Sequence, residues 1–591
     1  MEAMKRTSDC GSLGKKDEGR IVILNGWVHR KRNHGKIFFI NLRDRYGITQ
    51  VTVDTEKEPL LGDICGELRN EYVLAAEGKI TLRPGDMVNP SMETGEIELT
   101  ASKIVILNKS EVLPFQVEEE SKANEELRLK YRYLDLRSAA MQKTIKRRSE
   151  VTFAVREWMT SNGFYEIETP TFIKSTPEGA RDYLVPSRLY PGKFYALPQS
   201  PQLYKQILMV GGFDKYFQIA RCYRDEDSRG DRQPEFTQID IEMSFVSRDD
   251  VLSVTEGMMS HVFKKILNIE LPAKFNRLSW EEAMDNYGSD KPDLRFGMKL
   301  QKIENYINES AFQAFKDAIA QGGTVKALVV EGKADYSRKQ IEELEAHAKI
   351  YKAKGMAWMK VTKDGIEGGA SKFFADNAGE ILGGVGAKSG DLVLMIADAN
   401  KNIANTALGA VRSKLGKDLG LCDPRKFEFV WIVDFPMFEY NEEEKRWEAA
   451  HHLFTWPQEK YHDTMESDPG SVKGDLYDLV LNGYELASGS IRIHDPQMQK
   501  RVFKIAGIDP QQAEKKFGFL TEAFKYGAPP HGGIAPGLDR LVMIMAGLTS
   551  LKDVIAFPKN SFAVSPMDDC PSEVDQKQLD ELGIKILPRL S

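Results

Sequence analysis

Polar and apolar residues alternate in two runs, Phe217–Arg224 and Phe236–Met243, joined by a charged loop. That is the period of two antiparallel strands. Phe217, Ile219, Tyr223, Ile239, Ile241 and Met243 fall at odd positions, and Arg224, Glu226, Gln238, Asp240 and Glu242 at even ones. Each expected strand therefore has one apolar and one charged side. An antiparallel sheet can simply solvate such a polar side. The loop shifts the balance, because Asp225, Glu226, Asp227, Arg229, Asp231, Arg232 and Glu235 carry both signs densely enough to grip a polyanion with its metal.

The same period predicts five short strands near the N-terminus, over Ile21–Arg30, Lys36–Arg43, Ile48–Asp54, Tyr72–Thr81 and Glu96–Leu107. Five such strands suggest a small barrel, and the OB-fold, whose strand face binds single-stranded nucleic acid, is the natural candidate. Phe38, Ile40 and Leu42 share one side of the second strand, which leaves Phe39 on the other with Asn41 and Arg43. Glu111–Arg137 is charged and reads as a hinge. Val151, Val155, Trp158 and Met159 recur at helical spacing, Asn162-Gly163 gives a stop, and Tyr165–Pro170 reads as a strand held to a sheet edge by its proline. Ser175–Lys205 has enough Pro and Gly to read as loops and short strands. A segment from about Met298 to Leu421 has its own helical run, Ser337–Lys352, and glycine turns at Gly368-Gly369 and Gly383-Gly384, so it reads as an inserted domain.

In Asp475–Ile493 the pair Asn482-Gly483 marks a two-residue hairpin. Pairing Leu481 with Tyr484 sets Val480 opposite Glu485 and Asp478 opposite Ala487, so that Asp478 and Glu485 lie diagonally on one face and can share a divalent ion. His451-His452 has no further ligand at zinc spacing. Gly532–Arg540 is a glycine-rich strand entering a helix, suited to a close-lying nucleotide with Arg540 reaching its phosphates.

Across 591 residues the chain is 41% hydrophobic and 29% charged with a net charge of −7, which excludes a general basic coat for nucleic acid. Nucleic-acid contact must be local, and Arg20–Asp54 supplies it with Arg20, Arg30, Lys31, Arg32, Lys36, Arg43 and Arg45 against Asp44 and Asp54. The five cysteines show no metal or disulfide spacing, and neither a signal core nor an 18-residue apolar run is present, so a cytoplasmic, membrane-free protein is expected.

Tyr223-Arg224-Asp225-Glu226 resembles the second signature motif of class II aminoacyl-tRNA synthetases, and the string RCYRDEDSRGDRQPEFTQID is similar to that of the bacterial-type aspartyl-tRNA synthetases. GSDKPDLRFG at 288–297 is typical of the same family, and Gly532–Arg540 resembles the third class II motif. The resemblance implies an α+β multidomain chain: an OB-fold anticodon-binding domain (1–110), a hinge (111–137), a catalytic antiparallel sheet in two parts (138–297 and 422–591), and an inserted GAD-type domain (298–421). It further implies activation of L-aspartate by ATP with Mg²⁺, transfer to tRNA(Asp), and a homodimer built on the helix and strand around Pro170.

Residue by residue, it assigns Arg224, Glu226 and Arg540 to catalysis. Aspartate falls to Glu178, Ser200, Gln202, Lys205, Arg224, Asp240, His451, His452 and Arg492, with the substrate ammonium on Glu178. ATP falls to Arg224, Asp225, Glu226, Gln233, Phe236, Glu485, Gly537, Leu538, Asp539 and Arg540, with Phe236 and Arg540 sandwiching the adenine. Asp478 and Glu485 are the Mg²⁺ ligands, and Arg30, Arg32, His34, Phe39 and Gln50 meet the anticodon. Simple hairpin pairing sends Arg492 to the wrong face for this role, so a bulge at Ser488-Gly489-Ser490 is expected. His34 stands where relatives that also charge tRNA(Asn) carry histidine, which leaves tRNA(Asn) open as a second substrate. Leu453 and Pro536 depart from the family's usual residues. The competing readings are an asparaginyl- or lysyl-tRNA synthetase, against which the insertion and GSDKPDLRFG argue, and a catalytically silent paralogue that binds RNA.

Overall fold

A computed structural model describes residues 4–118, 122–176, 179–227, 230–307 and 312–587. They form two compact units: residues up to 146 with 556–560 and 564–572, and the remainder.

In the first unit β1 (Ile21–His34), β2 (Ile37–Arg43), β3 (Ile48–Asp54), β4 (Val73–Leu82) and β5 (Ile97–Asn108) close into a barrel in the order β1-β2-β3-β5-β4. Closure runs through a parallel β3–β5 pair, Val51 to Leu99 and Thr52 to Thr100. Alternation fills the interior: Val22, Leu24, Val28, Ile40, Leu42, Val51 and Val53 are buried. The sequence misses a helix, Pro59–Glu67, which starts on a proline and packs Leu61 and Cys65 inward. The stretch read as a hinge contains two short helices, Glu125–Lys130 and Arg132–Asp135, the first capped by Asn124.

The second unit is built on an eight-stranded sheet. Its N-terminal strands are β6 (Tyr165–Glu166), β9 (Lys215–Tyr223), β10 (Glu235–Ser244) and β11 (Asn276–Ser279), with a small separate hairpin of β7 (Leu184–Pro186) and β8 (Phe194–Ala196). A second, five-stranded sheet follows: β12 (Gln301–Lys302), β13 (Thr324–Val330), β14 (Ala357–Thr362), β15 (Gly365–Glu367) and β16 (Leu392–Asp398). The chain then returns with β17 (Phe429–Val433), a hairpin of β18 (Phe438–Asn441) and β19 (Arg446–Ala449), and β20 (Leu476–Leu481), β21 (Tyr484–Ile491) and β22 (His531–Pro536). The main sheet has the order β11-β17-β20-β21-β22-β10-β9-β6, so strands from both sides of the insertion interleave.

Helices Ala139–Ser161, Arg248–Leu267 and Leu538–Met545 supply the apolar layer: Val151, Val155, Met159, Val262, Phe263, Leu541 and Met543 are buried with Phe217, Ile239, Ile241 and Trp431. The smaller sheet, in the order β12-β13-β16-β14-β15, has an apolar cluster on each side. One cluster includes residues of helices Arg338–Ile350 and Lys401–Asp418, the other residues of Gln313–Ala320 and Ala378–Val385. Two expectations change here. Gly383-Gly384 lies inside the helix Ala378–Val385 rather than in a turn; a Cβ on Gly384 would stand 2.5 Å from the Tyr306 ring. Within Tyr165–Pro170 only Tyr165 and Glu166 pair, in parallel with Tyr216 and Phe217.

Candidate active site

The charged side of β10 is not a solvated face. Asp240 and Glu242 are fully buried, and ions in such a place need partners. Lys205 provides one. It lies in the first turn of a helix, Gln202–Val210, where the sequence pattern suggests loop, and its Nζ stands 2.7 Å from Asp240 and 3.2 Å from Glu242. Arg492 provides the other, gripping Glu242 with Nε at 2.9 Å and Nη2 at 3.2 Å. Its Nη1 donates to Ser490 Oγ at 2.9 Å and meets His452 Nε2 at 3.0 Å. Burial raises both carboxyls; the Arg492 and Lys205 charges outweigh it at Glu242, which is held below the ordinary range, but not at Asp240, which is pushed above it. Burial and then the Arg492 charge hold the His452 imidazole far below its usual pKa, so it faces the guanidinium as a neutral acceptor.

Glu242 pairs across the sheet with Gly533, and a Cβ there would stand 2.0 Å from Glu242 Oε2. This glycine makes room for a buried charge, a reason different from the nucleotide proximity expected of it. Gln202 and Gln206, one turn apart, are linked at 3.1 Å, and Gln206 meets His531 at 3.1 Å. Sequence alone does not single out Glu242, Gln206 or His531 for the site. The only signal is Glu242 at an even position of β10.

The second carboxylate pair sits on the β20–β21 hairpin, whose turn has Asn482 and Gly483 at φ 54° and 84°. Leu481 faces Tyr484 and Val480 faces Glu485 as expected, but Asp478 faces Ser488 and Leu479 faces Ala487. The bulge is at Leu486, not at Ser488–Ser490, through which the ladder runs regularly. One extra residue there flips the parity of the strand beyond it, so Glu485, Ser488, Ser490 and Arg492 come to the face of Asp478. The Leu486 carbonyl is taken by Gly537 N at 2.8 Å.

Asp478 is buried with Oδ1 unpartnered, and burial followed by the Glu485 charge pushes its carboxyl well above the usual value. Glu485 is drawn below its usual value despite burial, since Lys291 Nζ stands 2.7 Å away. An orphaned buried carboxylate oxygen beside a second carboxylate suits a hard divalent cation whose remaining ligands come from phosphate and water. Lys291 is a further site residue that its sequence context does not mark out.

Lys205, Asp240 and Arg492 of the first group and Glu485 of the second open into one cleft of about 460 Å³. It is lined by Ser200, Gln202, Lys205, Arg224, Glu226, Gln233, Phe236, Asp240, His451, His452, Glu485, Arg492, Gly537, Asp539 and Arg540. The Arg224 guanidinium lies 5.0 Å from the Phe236 ring centre, and Glu226 pairs with Arg232 at 2.9 Å. Arg540 donates to the Glu485 carbonyl and stands 3.5 Å from the Asp231 carboxylate, with its buried Nε unpartnered. Asp539 is clamped by Arg148 at 2.5 Å and by Thr237 N at 2.7 Å. Three assigned residues do not line the cleft: Asp225 is exposed, Leu538 is in the core, and Asp478 lies behind its wall. Glu178 falls outside the described residues. Pro536 stays paired with Ala487 as the last residue of β22, and the Leu453 carbonyl accepts from Gln499 at 2.8 Å.

On the barrel the register forms two rows, Arg30–Asn41–Gln50 and Arg32–Phe39–Thr52. His34 is exposed and its ring lies edge-on to Phe39 at 5.9 Å. Gln50 is buried and, with Thr52, held by Glu98 at 2.8 and 2.7 Å. Arg43 leaves the expected basic face, buried in an ion pair with Glu71 at 2.9 Å.

Comparisons with known proteins give the family and the fold. The family "tRNA synthetases class II (D, K and N)" matches residues 124–561, and "OB-fold nucleic acid binding domain" matches 22–107. The chain is 69% identical to the aspartate--tRNA(Asp/Asn) ligase of Treponema denticola, over 99% of this chain and 100% of that protein. It is 57% identical to the same-named protein of Treponema pallidum, over 99% and 98%. The solved asparaginyl-tRNA synthetase of Pyrococcus horikoshii with asparaginyl-adenylate shares the fold at a TM-score of 0.58 and 18% identity, covering 94% of this chain and 98% of that one. No helix among the described residues is long and apolar enough to cross a membrane. The chain therefore belongs to the class II aminoacyl-tRNA synthetases and, within them, to the aspartate--tRNA ligase family.

Proposed function

We propose that this enzyme activates L-aspartate with ATP and transfers the aspartyl group to the 3′ end of tRNA(Asp) and also of tRNA(Asn). The buried quartet Lys205, Asp240, Glu242 and Arg492 at the floor of the cleft carries the reading for aspartate. Two cations are locked in place by two anions. In its described contacts Arg492 leaves one Nη2 hydrogen for an incoming side-chain carboxylate. A neutral asparagine offers these cations no charge, so selection needs no editing step.

In the first step the aspartate α-carboxylate attacks the α-phosphorus of ATP, and pyrophosphate leaves. In the second the terminal ribose hydroxyl attacks the activated carbonyl, and AMP leaves. No side-chain nucleophile is needed; alignment and charge stabilisation carry the rate. Arg224 lies against the α-phosphate, Phe236 and Arg540 enclose the adenine, Glu226 and Gln233 hold the nucleotide, and Gln202 and Ser200 face the amino acid. Asp478 and Glu485 hold Mg²⁺, which when bound with ATP neutralises phosphate charge.

On the barrel Phe39 stacks a base between Arg32 and Thr52, with Arg30 and Gln50 beside it. The His34–Phe39 contact and the Asp/Asn names of the relatives favour acceptance of both tRNAs. The exposed Phe153 and Tyr165, on the helix Ala139–Ser161 and on β6, with Phe172 after it, supply an apolar surface for a homodimer, and the setting is the cytoplasm. Charging assays with purified tRNA(Asp) and tRNA(Asn) test the proposal. Aspartyl product is expected on both; product on tRNA(Asp) alone withdraws the dual specificity, and product on neither sinks the whole.

A further inference from the structure

Of the string GSDKPDLRFG only Lys291 has a place in the chemistry so far, and the inserted sheet has none. The structure joins the two. Helix Trp280–Tyr287 ends on Gly288 in the left-handed region, where a Cβ would stand 2.0 Å from the Asn405 carbonyl on the insertion's helix Lys401–Asp418. One turn further along that helix Gly409 also lies close, its Cβ position 2.6 Å from the Gly288 carbonyl, and at Gly416 it would be 2.3 Å from the Phe296 ring.

Between these glycines Arg412, 1% exposed, turns its guanidinium into the 288–298 loop. Nε donates to the Met298 carbonyl at 2.9 Å, and Nη2 to those of Asp293, Phe296 and Gly297 at 2.9, 3.0 and 2.8 Å. The guanidinium carbon lies 4.2 Å from the centre of the Phe296 ring. No carboxylate accepts from it among the described contacts; the charge is committed to loop carbonyls. The loop in turn reaches the cleft. Asp293 packs under the turn of the carboxylate hairpin, 3.2 Å from where a Gly483 Cβ would stand, and Lys291 meets Glu485 at 2.7 Å.

We infer that Arg412, on the insertion's helix Lys401–Asp418, is a positioning residue for the nucleotide: it fixes the 288–298 loop so that Lys291 is held against Glu485 at the phosphate end of the cleft. The inference rests on the proposed function for the identity of the ligand. Lys291 lines the cleft and Arg412 does not. The aspartate floor is served by other elements, so the effect belongs to ATP alone.

Equilibrium binding by titration calorimetry, with ATP and Mg²⁺ in the absence of amino acid and with aspartate separately, tests this on the full-length protein. Arg412→Leu and Lys291→Met should each weaken ATP binding at least tenfold and leave aspartate binding within twofold. The double variant should be no weaker than K291M, because the two act through one contact. Arg412→Lys should fall between wild type and R412L, since an ammonium cannot reproduce the fork that spans four carbonyls; it carries the test if R412L does not fold. Unchanged or tightened ATP binding in these variants, effects that multiply in the double variant, or a parallel loss of aspartate affinity overturns the inference. Wild type that binds neither ligand refutes the proposed function instead.

Discussion

Replacing Arg492 by Leu separates what the buried quartet does for folding from what it does for aspartate. The change removes four contacts, two of them to Glu242, and leaves Lys205 alone against the buried Asp240 and Glu242. Breaking a buried ion pair from one side costs about 3–5 kcal/mol. Because Lys205 still stands 3.2 Å from Glu242, the lower end applies, about 3 kcal/mol. Glu242→Met in the same chain removes the stranded anion, restores neutrality with Lys205 facing Asp240, and should recover most of that loss as an upward return of the urea midpoint. Activity should not return. A charge-assisted pair to the substrate carboxylate contributes about 3 kcal/mol, or roughly 150-fold in kcat/KM. Aspartate-dependent ATP–pyrophosphate exchange should therefore stay at least 100-fold down in single and double variants alike, by this same reckoning. If the double variant regained both its midpoint and its exchange rate, the assignment of Arg492 to aspartate would be wrong.

Phe39→Ala should lower kcat/KM for tRNA by about 10- to 100-fold, the worth of one stacked base, and leave pyrophosphate exchange untouched; an equal fall in both reactions would move Phe39 out of tRNA contact. Light scattering should give twice the 66.7 kDa chain mass, and a monomer would refute the homodimer. Native alkylation at pH 8 should label the exposed Cys570 and spare Cys222 and Cys65, whose thiols burial pushes up to about 12 and about 11; rapid labelling of Cys222 by mass spectrometry would contradict the packing of β9.

The parts of this structure that sequence reveals are those governed by a local period. The barrel strands fall within a few residues of expectation because each alternates around its own core, and the β9–β10 hairpin keeps its odd and even sides. What escapes depends on residues far apart or on a single irregularity. Charge on even positions of β10 says nothing of burial until Lys205 and Arg492 arrive from elsewhere. Gln202–Val210 hides as a helix because prolines and polar residues precede it, and its buried face includes Gln202, Lys205 and Gln206, which pack as polar partners. Pairing rules find the hairpin turn but cannot place the bulge, since Leu486 departs from the ladder where its carbonyl meets Gly537, a residue 51 positions on. Arg412 reads as an ordinary helical arginine until its four carbonyls come into view.

Because Ile241 on β10 pairs with Ile534 on β22, the middle of the main sheet joins chain segments separated by roughly 290 residues. At about 5–20 residues per second on the ribosome, β10 waits roughly 15–60 s for its neighbour. For most of that interval the half-finished sheet exposes an unpaired edge and three charged groups, Lys205, Asp240 and Glu242, whose fourth member, Arg492, has yet to be synthesised. The barrel and the inserted sheet, each made of contiguous sequence, can mature in the meantime, so the nascent catalytic half is where a chaperone would be needed.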